Sequence, residues 1–598
     1  MELPGRYRST PEFAAYLKRK MKLAEALIAV KRAQQRDGEV FTCFLATGFT
    51  PLHLISFLGA ELAQSFPEQK IAVQQGLYGD LPGNVNRLAK SGRDAGAVLI
   101  EWADLDARLG IRSSAAWSPS IHADIVKTVA AQTLQIQRAI EEASGKMPLV
   151  VSFPTLPLPP ISYVSGYQTS AFETDLTSTL HSLRSHLSQN DRVRILSAQR
   201  LEMLSPLSER HDVESELSAG FPYKLAHASV LANLIALLIR KPVPKKGLIT
   251  DLDDTVWRGI LGEVGIDGVS WDLDHHSQMH AFYQKLLGSL AAEGVLIAIA
   301  SKNEKSFVET ALARKDLAVP SNIFFPLEVS WRPKSEAVGR ILKTWNIGAD
   351  AVVFIDDSPL ELAEVKASHP GVECIQFPTK DAAAIYRLCW LLRDLFGKSA
   401  IMEEDAIRAQ SIRRAHEAAS GAESTGSQPP GFLDDLDAQT TFHLDKVPVD
   451  PRAFELVNKT NQFNLNGKRY TESSWQNYLQ DPSSVLLVAS YTDKFGPLGK
   501  IAVLAGKHDG KKLVVDTWVM SCRAFSRRIE SLTLEELFAK CAVDEIEFDF
   551  VKTERNSPLR EFLAELLGAE PSGRCVVSRR TLESRSRLTR EPQEIANG

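Results

Sequence analysis

Short apolar runs alternate with amphipathic stretches along most of the chain. FTCFLATGF (41–49), IAVQQGLY (71–78), AGAVLIEW (95–102) and PLVVSF (148–153) are the apolar runs of the first third, and helix-period segments such as PLHLISFLGAELAQSF lie between them. This alternation predicts strands joined by covering helices, an α/β layer built on a parallel sheet. The layer is placed at 37–240, behind a helical segment at 1–36 in which residues 11–36 carry basic side chains along one face. ASVLANLIALLI (228–239) is the longest apolar run. It falls short of the ~20 residues that span a bilayer and predicts a buried helix instead.

The pattern restarts after KPVPKKG (241–247), where proline and lysine punctuate the chain. LITDLDD, VLIAIAS, AVVFIDD and VECIQF read as strands, with helices such as HSQMHAFYQKLLGSLAAEG and LELAEVKAS between them, and this second α/β domain is placed at 241–400. A helix and flexible linker follow at 401–440, where AASGAESTGSQPPG (418–431) is too small and polar to bury a core of its own. A third α/β region is placed at 441–584, followed by a polar, disordered tail at 585–598. The expected fold class is therefore multidomain α/β, without internal repeats.

Composition narrows the function classes. The 598 residues are 44% hydrophobic and 24% charged, as in ordinary soluble proteins. A net charge of −5 supplies no global field for nucleic acid or an anionic membrane, and neither is expected as a partner. Six cysteines are scattered without a C-x-x-C pair, which fits reduced thiols better than disulfides or a zinc site. The opening MELPGRYRSTPEF lacks the apolar core of a signal peptide, so the expected compartment is the cytoplasm.

The chemistry gathers in the second domain. Three of its four predicted strands end in polar or acidic residues, and open parallel sheets bind ligands beyond the carboxyl ends of their strands. Asp251, Asp253, Ser301, Asp356 and Asp357 are thus expected in one crevice, with Asp251 and Asp253 pointing the same way from extended backbone. So many carboxylates together require a cation, and a hard divalent ion such as Mg²⁺ suits an all-oxygen set. With the ion bound, the site attracts phosphate, and a carboxylate can attack phosphorus to give an aspartyl-phosphate.

DLDDT (251–255), the serine of AIASKN, the lysine of WRPKSEAV and the acid pair of VFIDDSP resemble, in order, the four motifs of the haloacid-dehalogenase (HAD) superfamily. The resemblance implies Asp251 as nucleophile, Asp253 as general acid/base, Ser301 as a hydrogen-bond partner of the phosphoryl group and Lys334 as charge balance. It implies a metal shell of Asp251, Asp253 (through its backbone carbonyl), Asp356 and Asp357. Only 45 residues, Val256 to Ala300, separate the first two motifs. No large lid fits there, so the crevice is expected to be open and to admit a large substrate.

A narrower resemblance runs through DLDDTVWRGILGEVG, IASKNE, VSWRPKSEAV and VVFIDDSPLE, then VNKTNQFNLNGKRYTE (457–472) and DTWVMSCRAFSRRIE (516–530). These are similar to the FkbH-like branch of HAD subfamily IIIC, with an SGNH-hydrolase-like N-terminal domain of flavodoxin-like topology and a GNAT-like C-terminal domain. The resemblance implies an enzyme that takes a glyceryl unit from 1,3-bisphosphoglycerate, removes phosphate and loads the three-carbon unit on an acyl carrier protein for polyketide-type pathways. Two other readings stay open: a HAD phosphatase acting on a small or carrier-bound phosphate ester, and a non-catalytic assembly factor.

The sequence departs from that pattern at three places. Ala300 stands where many family members have a cysteine. The C-terminal domain has no R/Q-x-x-G-x-G/A loop; its register is Arg523-Ala-Phe-Ser526-Arg-Arg528, where Arg523, Ser526 and Arg528, with Arg527, are the candidate contacts to a pantetheine phosphate. The first domain reads Gly48-Phe49-Thr50 where a nucleophilic serine belongs, and it is expected to be a catalytically silent docking unit, with His227 a core histidine. In NKTNQFNLN, Asn458, Asn461, Gln462, Asn464 and Asn466 either line a cleft or stabilise their own loop. Lys459, Lys468 and Arg469 are candidates for a face toward an acidic carrier protein.

Overall fold

The computed structural model describes residues 20–90, 92–422, 438–493, 496–521, 524, 527–553 and 556–582. The chain divides into two compact units, Met1–Pro242 with Thr471–Ser474, and Val243–Tyr470 with Trp475–Gly598. Among the described residues no helix is long and apolar enough to cross a membrane.

The first unit is a parallel sheet of β1 (Val40–Ala46), β2 (Lys70–Gln75), β3 (Ala95–Leu99), β4 (Leu149–Ser152) and β5 (Val193–Ile195), in the order β2-β1-β3-β4-β5. Every residue of β3 and β4 is buried, as the unbroken apolar runs require of strands covered on both faces. The run at 228–239 lies in helix Leu225–Arg240, which packs on helix Leu52–Ser65. Of the helix expected at 11–36, the described part is Leu23–Gln34. The edge strand β5 has three residues, too few to leave a sequence pattern.

The second unit holds two sheets. The first is again parallel: β6 (Gly247–Thr250), β7 (Leu296–Ser301), β8 (Phe324–Val329), β9 (Val352–Asp356) and β10 (Glu373–Gln376), ordered β10-β9-β6-β7-β8. Strand β8 is not evident in the sequence. It lies at the sheet edge, where Pro326 is tolerated, and its burial is incomplete. Strands β6, β7 and β9 are fully buried and end side by side, so the motif residues fall on one edge of the sheet.

The other sheet contains β11 (Gln439–His443), β12 (Phe463–Asn464), β13 (Ser484–Asp493), β14 (Gly496–Asp509), β15 (Lys512–Met520), β16 (Glu545–Phe550) and β17 (Gly573–Ser578). Its pairings are antiparallel except β15 with β16. Helix Glu403–Ala422 takes up the first residues of the expected linker; 423–431, like the tail at 585–598, lie outside the described residues.

Candidate active site

Strand β6 delivers its chain to the edge where β9 runs alongside. The Asp251 backbone N–H donates to the Ile355 carbonyl at 2.9 Å, fixing the residue one step past the strand. The strand stops at Thr250, so Asp251 and Asp253 stand in the segment beyond it, where the chain turns from Asp253. Asp254 adopts φ +50°, and its carboxylate accepts from the Gly259 N–H at 2.8 Å.

This turn gives the two acids different partners. Lys334 Nζ stands 3.0 Å from Asp251 Oδ2 and 2.6 Å from Asp356 Oδ2, and all three side chains are buried. Asp356 closes β9, and its Oδ1 accepts from the Ser358 N–H at 2.9 Å. Asp251, Asp356 and Asp357 each offer an oxygen within 4.8 Å of the others. The carboxylate of Asp253 is not in that group. Its Oδ1 accepts from Trp257 Nε1 (2.9 Å) and the Leu261 N–H (3.1 Å), and its Oδ2 from Asn303 Nδ2 (2.9 Å). Both oxygens are thus engaged by protein donors, and the metal contact expected of Asp253 is through its backbone carbonyl rather than this carboxylate. Asn303 Nδ2 also reaches Ser301 Oγ at 3.2 Å, joining the second motif to the first.

The electrostatics follow from one ammonium facing three acids. Burial, with repulsion from Asp356, pushes Asp251 up to about 6 despite Lys334. Burial likewise raises Asp356, and burial with the Asp251 charge raises Asp357. For Lys334 burial favours the neutral form, but Asp251 and Asp356 outweigh it and the ammonium is held above its ordinary range. Negative charge is therefore in excess.

One atom tests whether a cation fits. Asp251 Oδ1 is buried and has no hydrogen-bond partner, although its companion Oδ2 is bound to Lys334. A buried carboxylate oxygen without a donor is costly, and coordination is the usual resolution. The donor set is all oxygen and anionic, suited to a hard divalent ion.

Ser301, the last residue of β7, is buried on this edge. Ala300 is on the other face of the same strand, in the apolar cluster with Ile249, Ala298 and Val338. Two residues that sequence reasoning passed over, Trp257 and Asn303, supply two of the three donors to Asp253. Their only sequence signal is proximity to the first two motifs.

The remaining candidates are distributed elsewhere. Arg523 and Ser526 lie outside the described residues. Arg528 precedes helix Ile529–Lys540 with φ +56°, and Arg527 is paired with Asp493 at 3.3 Å. In the NKTNQFNLN loop, Asn458 Nδ2 donates to the Phe454 carbonyl, Asn464 Nδ2 to that of Thr460, and Asn466 Nδ2 to those of Asp516 and Asp549. Asn458 and Asn464 brace their own segment, and Asn466 ties the loop to β15 and β16. Lys459 pairs with Glu455, Lys468 with Asp516, and Arg469 donates to the carbonyls of Val457 and Thr460. In the first unit, Gly48-Phe49-Thr50 follows β1, and His227 is wholly buried between Thr155 Oγ1 and Ser205 Oγ. Burial drives its imidazole down to about 3, so it is a neutral core histidine.

No family model and no curated protein sequence matches the chain. Among solved structures it is similar to the N-terminal part of a Bacteroides fragilis protein that contains a phosphatase domain and was crystallised in complex with Mg. The two are 19% identical with a TM-score of 0.50, over 62% of this chain and 99% of that one. At that identity the likeness establishes a shared α/β fold.

Proposed function

We propose that the second unit is a Mg²⁺-dependent phosphohydrolase of the HAD type, with Asp251 as nucleophile. The observation that carries this reading is the unpartnered Asp251 Oδ1 inside a group of three acids and one lysine. The Mg²⁺ in the Bacteroides fragilis structure supports the choice of ion. When bound to Asp251, Asp356 and Asp357, the ion supplies positive charge against which a phosphate can approach. Asp251 then attacks phosphorus in line with the leaving oxygen. Ser301 Oγ donates to a phosphoryl oxygen, and Lys334 offsets the charge carried by the transferring group. Asp253, held by three donors, gives a proton to the leaving oxygen and later takes one from the water that opens the aspartyl-phosphate.

The test is phosphate release from acetyl phosphate and p-nitrophenyl phosphate by the full chain. Asp251→Asn keeps the side-chain size and should abolish release while the protein remains folded. Retained turnover would place the nucleophile elsewhere.

The finer reading is FkbH-like transfer of a glyceryl unit from 1,3-bisphosphoglycerate to the phosphopantetheine of an acyl carrier protein. The motif resemblance and the short segment between the first two motifs support it. A thioester relay at position 300 is unsupported, since alanine stands there and faces the core. Mass spectrometry of a carrier protein incubated with enzyme, Mg²⁺ and bisphosphoglycerate separates the readings. A glyceryl mass addition supports transfer, and free phosphate with unmodified carrier leaves the phosphatase. No phosphate release from any of these substrates would leave the assembly factor.

A further inference from the structure

A large cavity lies away from the carboxylate site. It lies in the first unit, has a volume of about 1010 Å³, and opens beyond the carboxyl ends of β1 and β3. Strand order β2-β1-β3-β4-β5 reverses direction between β1 and β3. Such switch points are where open α/β sheets leave a crevice for ligands. Size and placement are those of a small-molecule site, at the upper end of the usual range of about 300–1,000 Å³.

Most charged groups in its wall are already satisfied. Glu101 accepts from Thr155 Oγ1 (2.5 Å), Tyr223 OH (2.7 Å) and the N–H groups of Thr155 and Leu156. Asp106 is paired with Arg108 at 2.6 Å, and His211 with Glu216 at 2.6 Å. Two groups remain. Asp104 Oδ2 accepts from the Glu101 N–H at 2.8 Å, while its Oδ1 lies 1.8 Å from where a Cβ on Gly48 would stand. Only glycine at 48 lets this carboxyl rest against the cavity floor. Burial pushes Asp104 up to about 7, so near neutrality the carboxyl can either accept or donate. The Arg112 guanidinium donates to the Glu216 carbonyl at 2.8 Å, lies 5.5 Å from the Tyr78 ring centre, and has no carboxylate partner among the described residues.

Asp104 and Arg112 are linked along the cavity wall by two glycines and the Tyr78 ring. The Gly79 N–H donates to the Gly48 carbonyl at 2.7 Å, so Asp104, Gly48, Gly79, Tyr78 and Arg112 form a continuous path. Phe49 and Trp102 add apolar wall. The path thus has a hydrogen-bonding carboxyl near one end, a cation without an acid partner near the other, and flat rings beside it. We propose that this cavity binds a small organic acid with a flat, apolar body, its acid group on Arg112 and a hydroxyl or amine on Asp104.

The probe is 4-hydroxyphenylacetate, titrated into the full-length protein and followed by saturation-transfer NMR. Phenylacetate lacks the hydroxyl, and 4-hydroxyphenylacetamide lacks the charge. Each comparator should bind about tenfold more weakly, the cost of one charge-assisted hydrogen bond. Arg112→Ala should weaken the probe about tenfold and erase its advantage over the amide; Asp104→Ala should erase its advantage over phenylacetate. Arg112 is exposed, so its replacement leaves the fold intact even where Asp104→Ala does not. No saturable binding up to about 10 mM, equal binding of all three compounds, or unchanged affinity in Arg112→Ala would each overturn the proposal.

Discussion

Replacing Lys334 with methionine keeps an unbranched side chain one atom shorter and removes the one ammonium between Asp251 and Asp356. Its Nζ is 3.0 Å and 2.6 Å from their Oδ2 atoms, and the residue is 5% exposed, so water cannot take its place. At an effective dielectric near 20, each contact is worth about 5–6 kcal/mol of attraction before desolvation. Removing one member of a buried pair typically costs about 3–5 kcal/mol. In this large unit that corresponds to a fall in Tm of about 10 °C at neutral pH, measured in chelator. Mg²⁺ should return a large part of the loss, because the divalent ion offsets the same carboxylates. Adding Asp356→Asn to the variant should also return part of it, since the surplus charge is then one fewer. Phosphate release, by contrast, should stay at least about a hundredfold down at saturating Mg²⁺, because the charge on the transferring group is no longer balanced. A Lys334→Met protein that melts within a degree of wild type in chelator would refute the electrostatic account. An equal loss with and without Mg²⁺ would refute the shared cation site.

Three further outcomes follow from the same geometry. Asp357 is half-buried, and Lys334 pairs with Asp251 and Asp356 rather than with it, so Asp357→Asn should raise the Mg²⁺ concentration for half-maximal activity about tenfold and spare most of the rate at saturation, read from metal titrations of phosphate release. Asp104 is raised from 3.8 to about 7, so its stabilising contribution is complete below about pH 4 and is lost as pH rises through 7. Asp104→Asn should therefore flatten the fall in Tm between pH 5 and 8 and gain about 1–2 kcal/mol over wild type at pH 8, discounted for partial exposure; Glu101, raised by burial, leaves a residual slope. Ala300→Cys should give a thiol that resists alkylation in the native protein and reacts on unfolding, because position 300 has no exposure, and rapid native labelling would contradict the strand register.

Much of this architecture was readable from patterns that depend on nearby residues. Apolar runs bounded by Gly, Pro or acidic residues marked β1, β3, β4, β6, β7 and β9, because a strand covered on both faces must be apolar throughout. Within the two parallel sheets, the strands that escaped, β5 and β8, are edges. An edge strand needs less burial, and β8 carries Pro326 where no ladder bond is required. The residues that hold Asp253 escaped for a different reason. Trp257 and Asn303 reach it only because the chain turns after Thr250 and β7 ends alongside, and neither fact leaves a periodic trace.

The cavity of the first unit shows the same limit more strongly. Its Glu101 is satisfied by Thr155, 54 residues away in sequence, and by Tyr223, 122 away. Side chains so distant cannot be matched without a backbone. Thr50 at the serine position therefore suggested a silent domain, while the glycine two residues earlier left no sign that it makes room for Asp104. A Cβ at position 48 would collide with Asp104 Oδ1, so the glycine two residues before the serine position admits a carboxyl to the floor of a large crevice. A crevice at a sheet's switch point does not depend on a nucleophile beside it, because the topology that creates it is fixed by strand order rather than by the residue at its mouth.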